Sequence, residues 1–170
     1  AQYYGRGDMN SIEKIFAYVT KVSFLISAIF FLASFFVPEQ LMRIFTQESQ
    51  LIDGGVTYLR IVAVSYVFTG ISQIYLCVLK NTGYAVKSMV IGSASVMINI
   101  FLNIALIFGF LFFPAMGIAG AALATAVSKF IELLWAFIES LQDRHVRLHV
   151  KYCFSADKQL IKDYWRCTLP

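Results

Sequence analysis

The chain has 170 residues, of which 59% are hydrophobic and 14% charged, with a formal net charge of +4. A water-soluble domain carries about a quarter charged residues, so this balance excludes an ordinary soluble domain and points to lipid as the solvent. The basic excess forms no patch for nucleic acid, because its residues sit between apolar stretches or in the C-terminal tail, where lipid headgroups and water are their partners.

Residues 1–10 read as the end of a preceding helix and a cytoplasmic loop; the chain has no initiator Met, which predicts that something upstream is missing. No cleavable signal pattern is present. Arg6-Gly7-Asp8 matches a cell-adhesion tripeptide, but it falls on the side expected to be cytoplasmic and is read as coincidence.

The first predicted span covers residues 11–37, with no charge between Lys21 and Glu39. The second, 51–79, is uncharged between Arg60 and Lys80. Each uncharged run is close to the length that crosses about 30 Å of hydrocarbon at roughly 1.5 Å per residue. From Ser88 to Ser128 there is no Asp, Glu, Lys, Arg or His. That stretch exceeds one crossing, and Pro114, Gly117 and Gly120 divide it into spans 87–113 and 117–141. In lipid each backbone amide must be satisfied within its own segment, so the expected fold class is an all-α membrane protein with four transmembrane helices. The tail, 142–170, is a basic cytoplasmic connector reaching the start of a further helix; Val146, Leu148, Val150 and Tyr152 alternate with polar residues, as in a surface-lying strip. Lys and Arg concentrate in the first segment, the second connection and the tail, which puts both ends inside, in what reads as a bacterial plasma membrane.

Polar residues inside the spans are where function is expected, because each is costly there without a partner. In the second span Tyr66, Thr69 and Gln73 lie on a mixed face with Ser65 and Ser72; it could line a pathway for an amphipathic molecule, or the hydroxyls could bond their own helix. Gln73 requires an external partner. In the third span Ser88, Gly92, Ser95, Asn99 and Asn103 recur three and four apart on one face. Asn99 and Asn103 could bind a cation or a substrate, or could join helices. In the fourth, Gly117, Ala121 and Thr125 recur every fourth residue, as do Gly120, Ala124 and Ser128; these small residues predict close helix packing, with the Thr125 hydroxyl at the depth of the Asn pair. Lys129 and Glu132, three apart, predict an ion pair, and a proton relay through Glu132 is the alternative.

The Cys residues, Cys77, Cys153 and Cys167, lack disulfide or metal spacing. His145, His149 and Cys153 would suit a metal only on a helix, which the alternation of the tail opposes. No metal, organic cofactor, nucleophile–base pair or phosphate loop is expected, and no enzyme.

The order of motifs resembles the multidrug and toxic compound extrusion (MATE) family: Gln2-Tyr3-Tyr4-Gly5-Arg6-Gly7-Asp8, then Tyr58-Leu59-Arg60-Ile61, Leu79-Lys80-Asn81-Thr82-Gly83 and Asn99-Ile100-Phe101-Leu102-Asn103. The most specific stretch is Gly117-Ile118-Ala119-Gly120-Ala121-Ala122-Leu123-Ala124-Thr125, followed by Ser128-Lys129 and Glu132. The resemblance implies that the four spans are the third to sixth helices of a six-helix transporter half-bundle. It also implies a secondary antiporter that extrudes organic, often cationic, compounds in exchange for Na+ or H+. Membrane lipid, the remaining helices and a small organic substrate would be its partners. In some members a cation site joins an Asp of the first helix, an Asn and an acidic residue on the fifth and a Thr on the sixth. Asn99, Asn103 and Thr125 match the last three places, with Asn103 where the acidic residue would stand. Amides and a hydroxyl alone cannot offset a bare cation's charge, so a carboxylate from elsewhere is needed. A flippase for lipid-linked saccharides in the same superfamily is the alternative function, and an intramembrane enzyme would need a reactive dyad from parts outside this sequence.

Overall fold

The computed structural model describes residues 9–109 and 114–142. The tail, with its alternating strip and His145, His149 and Cys153, lies outside these, as does the tripeptide at Arg6. Among the described residues there are five helices: α1 (Met9–Phe36), α2 (Pro38–Arg43), α3 (Ser49–Asn81), α4 (Ala85–Phe108) and α5 (Gly117–Gln142). Four of them, all but α2, are long and apolar enough to cross a membrane. The chain is that of an integral membrane protein.

The helix ends follow local chemistry. Pro38 opens α2 at a position where its missing N–H costs nothing, and this short helix was not legible as a separate element. The Arg43 guanidinium donates to Glu39 at 2.6 Å on an exposed face, a contact of little energetic weight. α3 closes where Gly83 takes a left-handed φ of 90° and the Tyr84 N–H donates back to the Leu79 carbonyl at 2.9 Å. That pattern satisfies carbonyls a helix end leaves open. α4 stops at Phe108, five residues before the predicted end at Phe113, because Gly109 adopts a left-handed φ of 72°. The returning chain then caps α4 from outside: the Met116 N–H donates to the Leu106 carbonyl at 2.9 Å.

α3 is the centre of the bundle. It packs on α1, α2, α4 and α5, and α4 packs on α5. Its 33 residues span about 50 Å at 1.5 Å per residue, more than the hydrocarbon thickness, so its ends reach beyond it or it tilts. Phe16, Tyr75, Leu76, Leu79, Ile91 and Ala136 form an apolar cluster drawing on all four long helices. Outward faces are apolar as well, with Ile29, Phe36, Met97 and Phe137 exposed, as helices in lipid require.

Small residues permit two close approaches. The Ser23 hydroxyl of α1 donates to the Gly70 carbonyl of α3 at 3.0 Å, and a Cβ on Gly70 would meet Ser27 Oγ at 2.0 Å. Where α5 begins, a Cβ on Gly120 would stand 2.5 Å from the Leu106 carbonyl oxygen of α4.

Candidate functional site

The spacing of Ser88, Ser95, Asn99 and Asn103 turns one face of α4 toward its neighbours, and the structure occupies that face with bonds between helices. The Ser88 hydroxyl donates to the Leu76 carbonyl of α3 at 3.0 Å. The Ser95 hydroxyl donates to the Ser128 carbonyl of α5 at 3.4 Å. Asn103 Nδ2 donates to Asn99 Oδ1 at 3.0 Å, Asn99 Nδ2 to Ser128 Oγ at 3.2 Å, and Ser128 Oγ to the Thr125 carbonyl at 3.0 Å. The result is a polar ladder that starts at Asn103, steps through Asn99 and crosses from α4 to α5 at Ser128.

One turn beyond Ser128 on α5 stands Glu132, 2% exposed. Its Oε1 accepts from the Ser72 hydroxyl at 2.8 Å and from Gln73 Nε2 at 3.1 Å, both on α3. Its Oε2 accepts from Lys129 Nζ at 2.8 Å. A carboxylate this deep is tolerable only because it is paired and hydrogen-bonded. The pair is lopsided: the Lys129 side chain is 26% exposed and that of Glu132 1%. Toward the same end of the bundle Lys87 of α4 pairs with Glu139 of α5 and lies over the Tyr84 ring.

The predicted site residues separate into those the ladder joins and those it does not. Asn99 and Asn103 are joined to each other and to α5. Thr125 enters through its carbonyl, while its hydroxyl donates to Ala121 of its own helix at 3.1 Å. Gln73 has the external partner it required, Glu132, on the helix beside it. Thr69 supplies a carbonyl to the Ser72 hydroxyl at 3.3 Å. Tyr66 stands apart, its ring 6.5 Å edge-on from Phe30 of α1. Among the small residues, Gly120 and Ala124 are buried and Ala121 is half-buried, with Gly120 against Leu106 of α4. Gly117 is different: it is exposed, a Cβ there would meet nothing within 4 Å, and its φ of 54° is the reason for a glycine.

The Lys129–Glu132 pair stands as the spacing predicts; the meeting of Ser72 and Gln73 with Glu132, and the crossing from α4 to α5 at Ser128, were not anticipated. The available signal was the three- and four-residue spacing of Thr125, Ser128 and Glu132, which puts them on one helix face as the four-residue spacing of Ser95, Asn99 and Asn103 does on the preceding helix. Among the described residues no group of His, Cys, Asp and Glu is placed to hold a metal ion. A cleft of about 330 Å³ lined by Met42, Leu51, Gly54, Gly55, Tyr58 and Ile118 lies at the other ends of α3 and α5 and is chiefly apolar.

A family model described as MatE matches residues 1–105. The transporter YisQ of Bacillus subtilis, described as uncharacterized, is 24% identical over 149 residues, which cover 88% of this chain and 32% of YisQ. The "Probable multidrug resistance protein NorM" of Thermotoga maritima is 30% identical over 96 residues, covering 56% of this chain and 21% of that protein. The multidrug resistance protein PmpM of Pseudomonas aeruginosa is 26% identical over 125 residues, covering 74% and 26%. The chain thus spans at most 32% of the length of these relatives. Among solved structures, a MOP superfamily transporter from Pyrococcus furiosus Vc1 superposes with a TM-score of 0.81 at 20% identity, over 98% of this chain and 36% of the other. At that identity the likeness speaks for the fold.

Proposed function

Given that the chain belongs to the MATE family of transporters, we propose that it forms part of a secondary antiporter that extrudes organic, often cationic, compounds in exchange for Na+ or H+. The observation that best supports this reading is the polar ladder, since amides and a carboxylate inside membrane-crossing helices are expensive and mark ion or substrate pathways. Asn99 and Asn103, one turn apart on α4, offer the ladder's amide groups to a pathway, with Glu132 as the nearby buried charge. The multidrug resistance relatives supply the substrate class. In this reading the ends of α4 and α5 joined by Lys87 and Glu139 face the cytoplasm, as the surrounding Lys and Arg residues require, and the membrane is a bacterial plasma membrane.

Replacing Asn99 and Asn103 together by leucine, in a transporter that contains this chain, is expected to lower drug extrusion about tenfold. The Asn99–Ser128 contact between helices is worth roughly 1 kcal/mol and the Asn103–Asn99 contact within α4 about 0.4 kcal/mol, and about 1.4 kcal/mol makes a factor of ten. Efflux of a fluorescent cationic drug from cells, with membrane levels matched by immunoblot, measures it. Extrusion at the wild-type rate would remove the pair from the mechanism.

A further inference from the structure

Glu132 is a fixed anion with a movable cation beside it. Oxygen-bearing side chains from two helices meet at the carboxylate: Ser72 and Gln73 from α3, and the two oxygens of Glu132 itself on α5. Ser72 and Gln73 now donate to the carboxylate, but a hydroxyl has two lone pairs to turn toward a cation and an amide can present its oxygen instead of its nitrogen. Lys129 supplies the charge that Glu132 needs, and supplies it from a side chain already 26% exposed. A lysine so placed can swing its ammonium to the headgroup region without breaking the helix. Glu132 has no such freedom, because Ala136, one turn on, packs into the apolar cluster with Phe16, Tyr75, Leu76 and Leu79. When the ammonium leaves, the buried carboxylate must acquire another positive charge. The other ion pair at this end, Lys87 with Glu139, is satisfied internally.

We infer that Glu132, Ser72 and Gln73 form a small-cation exchange site in which the Lys129 ammonium is the resident, displaceable counter-ion. The ligand is a monovalent cation, Na+ or a proton. This inference rests on the transport reading for its purpose, since an exchangeable cation one turn from Ser128 would bias the ladder that joins α4 to α5. It assigns the ladder's negative charge to α5, not to the α4 position that Asn103 occupies.

Infrared difference spectroscopy of the purified transporter containing this chain tests it directly, in one arm by adding NaCl against choline chloride at fixed pH, in the other by lowering pH without Na+. The wild type is expected to show a carboxylate band that responds in one arm, which identifies the cation, and that is absent in Glu132→Gln. Lys129→Met, which removes the resident competitor, is expected to bind that cation about tenfold more tightly, the low end of what a neighbouring opposite charge does to a carboxylate. Identical wild-type and Glu132→Gln spectra in both arms would mean that Lys129 never leaves, and would overturn the site. If Glu132→Gln does not fold, Ser72→Ala replaces it: weaker cation binding supports converging oxygens, and unchanged binding overturns them. Failure of the transport reading is separately visible, as a wild-type protein that shows the band but extrudes no drug.

Discussion

Lys129→Met is expected to destabilise the helix bundle by about 3 kcal/mol, and Glu132→Leu by only about 1 kcal/mol, although each deletes the same ion pair. The asymmetry follows from exposure. Removing the lysine strands a carboxylate that is 1% exposed, in a buffer that offers it no Na+ in exchange. Removing the glutamate leaves an ammonium on a flexible stem that is already 26% exposed and can extend to the headgroups. Ser72 loses a partner in that variant but keeps the Thr69 carbonyl of its own helix at 3.3 Å. The double variant, with two apolar side chains in place of the pair, is expected to recover most of the loss, because well-packed apolar groups replace buried pairs at little cost. Unfolding in mixed micelles as the SDS fraction rises, in Na+-free buffer at neutral pH, ranks the three variants. A Glu132→Leu loss equal to or larger than that of Lys129→Met would show that the carboxylate does not depend on Lys129 to balance its charge.

Span number and type were legible because lipid imposes a constraint that needs no partner. A backbone without water must bond within its own segment, and an uninterrupted apolar run of the right length satisfies that locally. The end of α4 was misplaced by five residues for an equally local reason: Phe110 to Phe113 continue the apolar pattern, but Gly109 has already turned the chain to a left-handed φ. The polar face of α4 was also readable, since Ser95, Asn99 and Asn103 share a side at any helical spacing. What the face meets was not. That Asn99 reaches Ser128, and not the Thr125 hydroxyl, depends on how α4 and α5 slide along each other, and residues on either helix alone carry no record of it. Gln73 shows the same division: its need for an outside partner follows from an amide in lipid, but the identity of Glu132, fifty-nine positions away, requires the packing of α3 on α5.

The glycines of α5 and α4 sharpen this into a second prediction with a large effect. Gly117 and Gly120 look alike in sequence, three residues apart in a run of small residues. Gly120→Ala is expected to cost about 3 kcal/mol, the upper range for forcing one extra carbon into a packed interface. Its Cβ would fall 2.5 Å from the Leu106 carbonyl oxygen and 2.7 Å from its carbonyl carbon. Those are backbone atoms of α4, and the same oxygen already accepts the Met116 N–H, so relief means separating the helices and weakening the cap. Gly117→Ala meets no atom and is expected to cost only about 1 kcal/mol, the penalty of a left-handed φ for an L-residue. Gly92→Ala, at a helical position with nothing within 4 Å of the added carbon, should be neutral or stabilising by up to about 0.8 kcal/mol. Because Ser128 lies two turns along α5 from Gly120, displacement at Gly120 should also lengthen the Asn99–Ser128 contact, so Gly120→Ala is expected to lose drug extrusion out of proportion to its expression level. The same micellar unfolding series, with efflux measured at matched protein levels, checks the order Gly120, Gly117, Gly92. Tolerance of alanine at Gly120 would place α4 and α5 farther apart than the Leu106 contact allows, and with it would go the register that brings Asn99 to Ser128.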